Sequence, residues 1–250
     1  MMRIYIFLYC LFSITFLNAQ SINQLDSNGL RHGDWEGKFE KSDRLRYKGS
    51  FEHGVEKGVF TFYDNTKESK VVATRDFSVG TNSCYTTFFD ADGYIVSKGL
   101  LINKLPQGEW IYYHYKSKDP MTVELYENGK LEGIKKVFYK NGTLAETTLF
   151  KAGLKNGKYL KYAENGKLLE ELNYLNDELH GEAIYHDGTG NINQKGQYKK
   201  GIRKGIWTVF ENGKKVKTKD YNLVNPETYK LSKNAEGKDV PMQSTPRKQE

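Results

Sequence analysis

The chain has 250 residues, of which 38% are apolar and 14% aromatic, with 18 Tyr, 24 Gly and 5 Pro. So few aliphatic residues argue against a Leu-rich helical core, and so many rings and glycines favour β-hairpins held by ring contacts. The formal net charge of +7 is spread along the chain among Asp and Glu, which is typical of a solvated surface, so we expect no nucleic-acid partner.

The first nineteen residues have the layout of a secretory signal peptide. Residues 1–3 are a short basic start, residues 4–17 are almost unbroken apolar sequence, and the small Ala19 precedes Gln20. The apolar run is short for a membrane span. We therefore expect residues 1–19 to be removed, residues 20–28 to form a lead-in, and the protein to be periplasmic, associated with the outer envelope or secreted. An uncleaved anchor is the alternative.

Cys84 is the one cysteine left after removal of residues 1–19. A single thiol cannot form an internal disulfide, so the exported chain must be held by packing and strand pairing. Nothing in the surrounding sequence would activate a thiolate. We predict that Cys84 is a buried structural residue.

A glycine recurs along most of the chain at intervals of 25, 50, 25, 24, 24 and 24 residues. The interval of 50 spans two periods, and its middle slot is Cys84. The sequence therefore contains eight units between residues 29 and 223, with glycine at this anchor slot in seven of them. The anchor glycines are Gly33, Gly58, Gly108, Gly133, Gly157, Gly181 and Gly205.

Three further slots keep a constant distance from the anchor. The slot four residues before it is glycine in six of the eight units and is Lys104 or Asp177 in the others. The slot two residues after the anchor, called the +2 slot, is aromatic in five units and is Thr86, Lys135 or Ala183 in the others. The aromatic +2 residues are Trp35, Phe60, Trp110, Tyr159 and Trp207. The slot five residues after the anchor is aromatic in six units.

Asn-Gly or Asp-Gly pairs lie between two β-rich runs inside four units, at Asp92-Gly93, Asn141-Gly142, Asn165-Gly166 and Asn212-Gly213. Such pairs accept the positive φ of a type I′ hairpin turn. The anchor glycine instead opens the first strand of a unit, where we expect a bulge or a close backbone approach. Each unit is then strand, tight turn, strand and loop.

The repeats predict an all-β fold: an elongated, twisted, single-layer array of about eight antiparallel hairpins, with sixteen strands. Residues 168–175 would favour a helix in isolation, but their equivalents in other units are poor helices, so we predict a strand. The Lys-rich residues 214–220 would protect the last strand from edge-to-edge association. Residues 224–250 contain three prolines in polar sequence, and we predict a short, partly disordered tail.

The units resemble the MORN-repeat-variant family. The resemblance rests on "GEWIYY", "GIWTVFENGKKV" and "NGKYLKYAENGKLLEE", on the His-Gly anchors at 32–33 and 180–181, and on the Gly-containing segments "KGSF", "KGLL" and "KGQY". It covers about residues 29 to 223. The third unit departs most, with Cys84 in place of glycine and Thr86 in place of a ring.

The resemblance implies a row of β-hairpins with a non-catalytic role in protein scaffolding, membrane-lipid association or dimerisation. Many bacterial members of the family are named as antitoxin components. A signal peptide would carry this chain out of the cytoplasm, so a toxin that it neutralised would have to meet it there.

No residue set in the sequence has the spacing of a reaction centre or a metal site. His32 and His180 occupy one repeat slot that also accepts Lys, Ser, Gln, Glu and Asn, which is typical of a surface turn. No ligand-spaced cluster is apparent, and no phosphate loop or nucleophile elbow is present. We therefore predict that the protein is not an enzyme and has no cofactor, metal or catalytic residue.

The aromatic slots have two interpretations. Most rings are expected to form the core, because a single-layer sheet has little else to pack. Some could instead form a ladder on an open face that binds glycans, lipid headgroups or an extended peptide. The candidate binding aromatics are Trp35, Trp110, Tyr112, Tyr159 and Trp207.

We expect an exported, non-enzymatic repeat scaffold that binds another protein at the cell envelope. One alternative is an antitoxin or immunity component of a toxin–antitoxin pair. The other is a module that binds cell-wall glycan or a membrane surface through exposed aromatics. The sequence identifies neither the partner, nor the binding face, nor the oligomeric state.

Overall fold

The structure is a computed structural model, and it describes residues 21–80, 82–222, 231–233 and 239–241. The predicted signal peptide at residues 1–19 lies outside the described residues. Most of the predicted tail at residues 224–250 does so too.

The described residues form one antiparallel sheet of 19 strands and a separate two-stranded ribbon. The strands of the large sheet are β1 (Gln24–Leu25), β2 (Arg31–Lys38), β3 (Leu45–Glu52), β4 (Val55–Tyr63), β5 (Val71–Asp76), β6 (Ser83–Phe89), β7 (Ile95–Ile102), β8 (Leu105–Tyr113), β9 (Pro120–Glu127), β10 (Lys130–Leu131), β11 (Gly133–Phe138), β12 (Leu144–Lys151), β13 (Leu154–Tyr162), β14 (Leu168–Leu175), β15 (Glu178–Leu179), β16 (Gly181–His186), β17 (Ile192–Lys199), β18 (Ile202–Glu211) and β19 (Lys214–Asp220). The ribbon is β20 (Leu231–Lys233) with β21 (Asp239–Pro241), and one 3₁₀ turn, η1, spans Phe77–Val79.

Sixteen of these strands form eight consecutive hairpins, which confirms the predicted all-β array. The hairpins are β2–β3, β4–β5, β6–β7, β8–β9, β11–β12, β13–β14, β16–β17 and β18–β19. Each hairpin also pairs with the next one along the chain, so the sheet grows in sequence order and is not closed. Within the described residues, no helix has the length and hydropathy to cross a bilayer.

The strand predicted at residues 168–175 is confirmed as β14. Its Gly157↔Tyr174 and Tyr159↔Leu172 pairs give β14 the same register relative to the anchor glycine as the return strands of other units. Neighbouring strands thus override the local helical preference of "LLEELNYL", because only a strand satisfies the backbone groups of β13.

The predicted type I′ turn inside each unit is confirmed at Asn212-Gly213, where both residues have positive φ. It is wrong at Asp92-Gly93, Asn141-Gly142 and Asn165-Gly166, because there only the glycine has positive φ. In the sixth unit the Gly166 N–H donates to the Ala163 carbonyl at 2.8 Å, and the Ala163 N–H donates to the Lys167 carbonyl at 2.8 Å. This pattern is a three-residue loop with a glycine bulge.

The turns with two positive-φ residues lie mainly between units. They are His53-Gly54, Asn103-Lys104, Asn128-Gly129, Ala152-Gly153, Asn176-Asp177 and Lys200-Gly201. Four of them join the last strand of one hairpin directly to the first strand of the next, whereas Asn128-Gly129 leads into β10 and Asn176-Asp177 leads into β15. The second position of these turns is the slot four residues before the anchor, and the left-handed backbone there explains why glycine is preferred.

The anchor glycine lies at a bulge, as predicted. All seven anchor glycines have positive φ, from +64° at Gly58 to +114° at Gly157. Opposite Gly58, the pairing shifts between Lys48 and Ser50, so the second unit has extra residues there. Glycine is required because a side chain is strained in this left-handed conformation.

The core is built from rings of the +2 slot that lie flat on glycines of the preceding strand. Trp110 is the Cα partner of Gly99, and a Cβ added to Gly99 would overlap the Trp110 ring. A Cβ added to Gly49 would likewise overlap the Phe60 ring, and one added to Gly196 would overlap the Trp207 ring, whereas Tyr159 lies opposite Thr148. Phe60, Trp110, Tyr159 and Trp207 are all buried. The glycines of "KGSF", "KGLL" and "KGQY" therefore make room for the rings.

In two units without a +2 ring, the +2 residue makes a different stabilising contact with the adjacent strand. Lys135 in the fifth unit makes a 2.8 Å ion pair with Glu124, which is itself buried. Ala183 in the seventh unit is fully buried and packs in one cluster with Leu172 and Trp207. A large side chain on one strand thus accompanies a small or oppositely charged one on its neighbour.

The Lys-rich β19 ends the large sheet, and β18 is its one strand partner among the described residues. Its side chains are almost all exposed. Lysines on such an edge oppose pairing with another chain. Beyond it, β20 and β21 lie inside the predicted tail.

We predict that Gly196→Ala destabilises the array by about 1–3 kcal/mol, because its Cβ overlaps the buried Trp207 ring. Gly188→Ala is the matched control: Gly188 is exposed, with no atom near the added Cβ, so its effect should stay within about 0.5 kcal/mol. Urea unfolding followed by circular dichroism measures both. Equal midpoints for the two variants would contradict the ring-on-glycine packing.

We also predict that Trp207→Ala lowers the free energy of unfolding by about 3–5 kcal/mol, because the indole is only 1% exposed. Tyr115→Ala removes a ring that is 72% exposed, and its effect should be within about 0.5 kcal/mol. The same unfolding measurement separates the two. A Trp207→Ala protein as stable as wild type would remove Trp207 from the core.

Candidate functional site

The candidate binding aromatics lie mostly inside the core. Trp110, Tyr159 and Trp207 are buried, whereas Trp35 and Tyr112 are partly buried. The indole N–H of Trp110 donates to the Leu100 carbonyl at 3.0 Å, and that of Trp207 donates to the Gln197 carbonyl at 3.1 Å. The faces of these three rings pack within the protein, and the two indole N–H groups already have backbone acceptors. That any of the five binds a ligand stays a prediction.

A cation two residues before the anchor covers the +2 ring in three units. The Arg203 guanidinium lies 4.0 Å from the centroid of a Trp207 ring. Arg31 lies 4.8 Å from Trp35, and the Lys155 ammonium lies 5.9 Å from Tyr159. Such cation–ring contacts stabilise both groups. This −2 slot was missed in the sequence, although its position relative to the anchor is constant.

The third unit lacks the bulge of its neighbours. Between β5 and β6 the pairs run from Ala73↔Phe88 to Asp76↔Tyr85 without a shift. Cys84 occupies the anchor slot, and its φ is not positive, so the backbone there stays regular. In place of a two-residue turn, η1 joins the strands, with its first turn capped by the Asp76 carboxylate at 2.9 Å from the Ser78 N–H.

Cys84 is buried, as predicted, and its Sγ lies 3.5 Å from the hydroxyl of the buried Thr86. Thr86 fills the +2 slot without a ring, and the −2 slot of this unit is Asn82 instead of a cation. The third unit therefore has neither partner of the cation–ring contact. Across the strands Thr86 pairs with Arg75, which takes the place of the glycines Gly49 and Gly99 of β3 and β7.

A cleft of about 470 Å³ opens at this position and is called the third-unit cleft. Its lining residues are Glu56, Arg75, Phe77, Asn82, Cys84, Leu101, Asn103 and Lys104. The buried end is formed by Cys84 and by the partly buried Arg75, Phe77 and Leu101, whereas the polar residues at the other end are exposed. The Nε atom of Arg75 is buried, with no hydrogen-bond partner among the described residues. The cleft thus combines apolar surface with a guanidinium whose Nε lacks a hydrogen-bond acceptor.

The opposite face of the sheet carries an exposed apolar row. Leu125 and Leu149 alternate with the buried Glu124 and Thr148, so they point away from the core. The outer apolar row is defined by Tyr85, Leu100, Leu125, Ile134 and Leu149. Tyr85 pairs with Leu100, and Ile134 pairs with Leu149. All except Leu100 are exposed large hydrophobic residues, and Glu109, the partner of Leu125, lies within the row.

Two histidines approach a carboxylate at the start of the array. The ligand atoms of Asp26, His32 and His53 all lie within 4.8 Å of one another. His53 Nδ1 is 2.7 Å from the Asp26 carboxylate, which also accepts the N–H groups of Asn28 and Leu30. These bonds, that of His53 first, hold the pKa of Asp26 below its usual value. The chain itself thus uses both oxygens of the Asp26 carboxylate. That no histidine binds a metal stays a prediction.

Two solved structures share a likeness with the chain, at low similarity. One is the "Crystal Structure of TcdB2-TccC3-Cdc42", with 10% identity and a TM-score of 0.22, where the match covers 74% of this chain and 13% of that one. The other is a protein of unknown function from Bacteroides fragilis, with 8% identity and a TM-score of 0.13, covering 75% of this chain and 99% of that one. Both TM-scores are too low to support an argument. No curated protein matches the chain.

The family comparison agrees with the repeat geometry. A model described as "MORN repeat variant" matches residues 131–152, 155–176 and 179–200. Each matched segment spans one hairpin almost completely and ends at the first residue of the two-residue turn that follows it. MORN repeats are generally modules that bind proteins or membranes, and the family is non-catalytic. The predicted resemblance is thus confirmed at residues 131–200, where three consecutive segments match the model of the MORN repeat variant.

Proposed function

We propose that the protein is an exported, non-enzymatic repeat scaffold that binds another protein at the cell envelope through its outer apolar row. The general binding role of MORN repeats supports this proposal. The observation that carries it is the exposure of large apolar side chains on the face opposite the core, because contiguous exposed apolar surface on a soluble protein marks interaction sites.

The chemistry of the row favours a protein over a glycan. Sugars stack on aromatic rings, but Trp110, Tyr159 and Trp207 are buried in the core. Leu125, Ile134 and Leu149 offer branched aliphatic surface instead. Such surface gains free energy when it is removed from water against another apolar surface.

The row also favours a protein over an anionic membrane surface. Glu109 lies beside Leu125 within the row, where its carboxylate would repel anionic headgroups. Members of the row on adjacent strands are about 4.8 Å apart. An extended partner segment or a partner helix could therefore contact several members at once. Glycan binding, membrane binding and an immunity role against an exported toxin are therefore outcomes that the test distinguishes.

We predict that Ile134→Lys abolishes partner binding without unfolding the array, because Ile134 is 52% exposed within the row, on the strand between those of Leu125 and Leu149. Ile206→Lys is the matched control: it makes the same change at the same repeat slot, at 63% exposure, outside the row. Proteins cross-linked to the mature chain in envelope extracts would be identified, purified and titrated directly. The expected result is a dissociation constant raised at least tenfold for Ile134→Lys and unchanged for Ile206→Lys.

Equal binding of the partner by both variants would overturn the outer row as the binding face. Binding of polysaccharide or of anionic vesicles, with no protein partner, would replace the scaffold by a glycan or membrane module. If the partner is a toxin encoded beside this gene, restored growth on co-expression would assign the immunity role.

Export is a separate prediction, because it rests on residues 1–19 alone. The intact mass of the protein recovered from cells should correspond to a chain that begins at Gln20. Replacing Ala19 by Arg should block this cleavage, because signal peptidases require a small residue at that point. A cytoplasmic chain that retains residues 1–19 would contradict export and leave the binding proposal to be tested inside the cell.

A further inference from the structure

We infer that the third-unit cleft binds a carboxylate that carries an aromatic or branched aliphatic group. This site lies on the aromatic face, so it is distinct from the outer apolar row. It needs neither the protein partner nor export.

The cleft lies where the third unit departs from the repeat at several slots. In the eighth unit the −2 and +2 slots hold Arg203 and Trp207 in a 4.0 Å contact. In the third unit the same slots hold Asn82 and Thr86. The cleft of about 470 Å³ lies beside them, which is within the size range of small-molecule sites. A ligand ring or branched chain would lie beside Asn82, the slot that holds a cation in three other units.

The charge of the cleft comes mainly from Arg75. Arg75 has no ion pair among the described residues, and its contact at 5.1 Å is with the Phe62 ring. Its Nε is buried without a hydrogen-bond acceptor. A buried donor without an acceptor is costly, and a guanidinium matches the two oxygens of a carboxylate.

The other polar lining residues agree with a single negative charge on the ligand. Lys104 adds a second cation, and Glu56 is the one carboxylate among the lining residues, so one positive charge is left over. Asn82 and Asn103 supply amide groups that can donate to an oxygen of the ligand. A group with two or more negative charges would be less well balanced.

The apolar lining selects the rest of the ligand. Phe77 and Leu101 border the cleft from neighbouring elements, and the Phe77 ring is held in place by an edge contact with Phe60 at 5.4 Å. Apolar contact there would stabilise a ring or a branched side chain attached near the carboxylate. This chemistry is shared by free aromatic or branched acids and by the last residue of a peptide chain.

The test titrates the mature full-length chain with N-acetyl-phenylalanine and with its carboxamide, by calorimetry and NMR. We expect the acid to bind at least tenfold more tightly than the amide. Arg75→Gln should weaken acid binding at least tenfold, whereas Arg46→Gln, the same change at an exposed arginine, should leave it unchanged. Asn82→Trp should also block binding, because its indole would fill the cleft while Arg75 remains.

The source of the carboxylate is distinguished by comparing N-acetyl-phenylalanine with 3-phenylpropionate. Tighter binding of the former indicates a peptide C-terminus, and tighter binding of the latter indicates a free acid. Circular dichroism confirms that each variant is folded. No binding of the acid up to about 10 mM, equal binding of acid and amide, or an undiminished affinity in folded Arg75→Gln would overturn the inference.

Discussion

The structure depends on one contact, an aromatic ring laid on the bare backbone of a glycine in the adjacent strand. A single-layer sheet has no second layer to cover its apolar face. In this chain, rings such as Trp110 and Trp207 cover the face themselves, and Gly99 and Gly196 let them lie flat on the strand. The ring is thereby buried by its own sheet, and the glycine backbone is shielded from water. This pairing of ring and glycine joins one hairpin to the next at three of the seven junctions, β3–β4, β7–β8 and β17–β18.

Because each contact joins neighbouring units, departures are compensated locally. Lys135 is matched by Glu124 across the strands of the fourth and fifth units, and Ala183 packs beside the larger Leu172. The third unit is the exception. Cys84 abolishes the bulge, Thr86 pairs with Arg75 in place of a ring on a glycine, and the third-unit cleft lies open beside Arg75. Stability in a repeat array is close to a sum over adjacent pairs, so one unit can lose its packing for another purpose while the others hold the sheet.

The two faces of the sheet have different chemistry as a consequence. Along most of the aromatic face the rings are buried in the core. At the third-unit cleft this face is open, and Arg75 there has no ion pair among the described residues. The outer face carries no such row of rings and keeps exposed aliphatic side chains such as Ile134 and Leu149. A partner protein and a small carboxylate could therefore bind the same molecule without competing.

The sequence by itself determined the periodic part of this protein. Eight units, sixteen strands, the bulge at the anchor glycine and the β-structure of residues 168–175 all follow from the spacing of Gly and aromatic residues, because every copy must adopt the same backbone. Tertiary structure decided which turns use two left-handed residues and which rings are buried. It also decided that the residue two positions before the anchor covers the +2 ring in three units. Those properties depend on the side chain across the strand, as with Gly196 under Trp207, or on groups far apart in the chain, as with Asp26 and His53. The third-unit cleft was also decided by tertiary structure. Cys84 and Thr86 indicate in the sequence a departure from the repeat, but only the packing of Arg75, Phe77 and Leu101 forms the cavity.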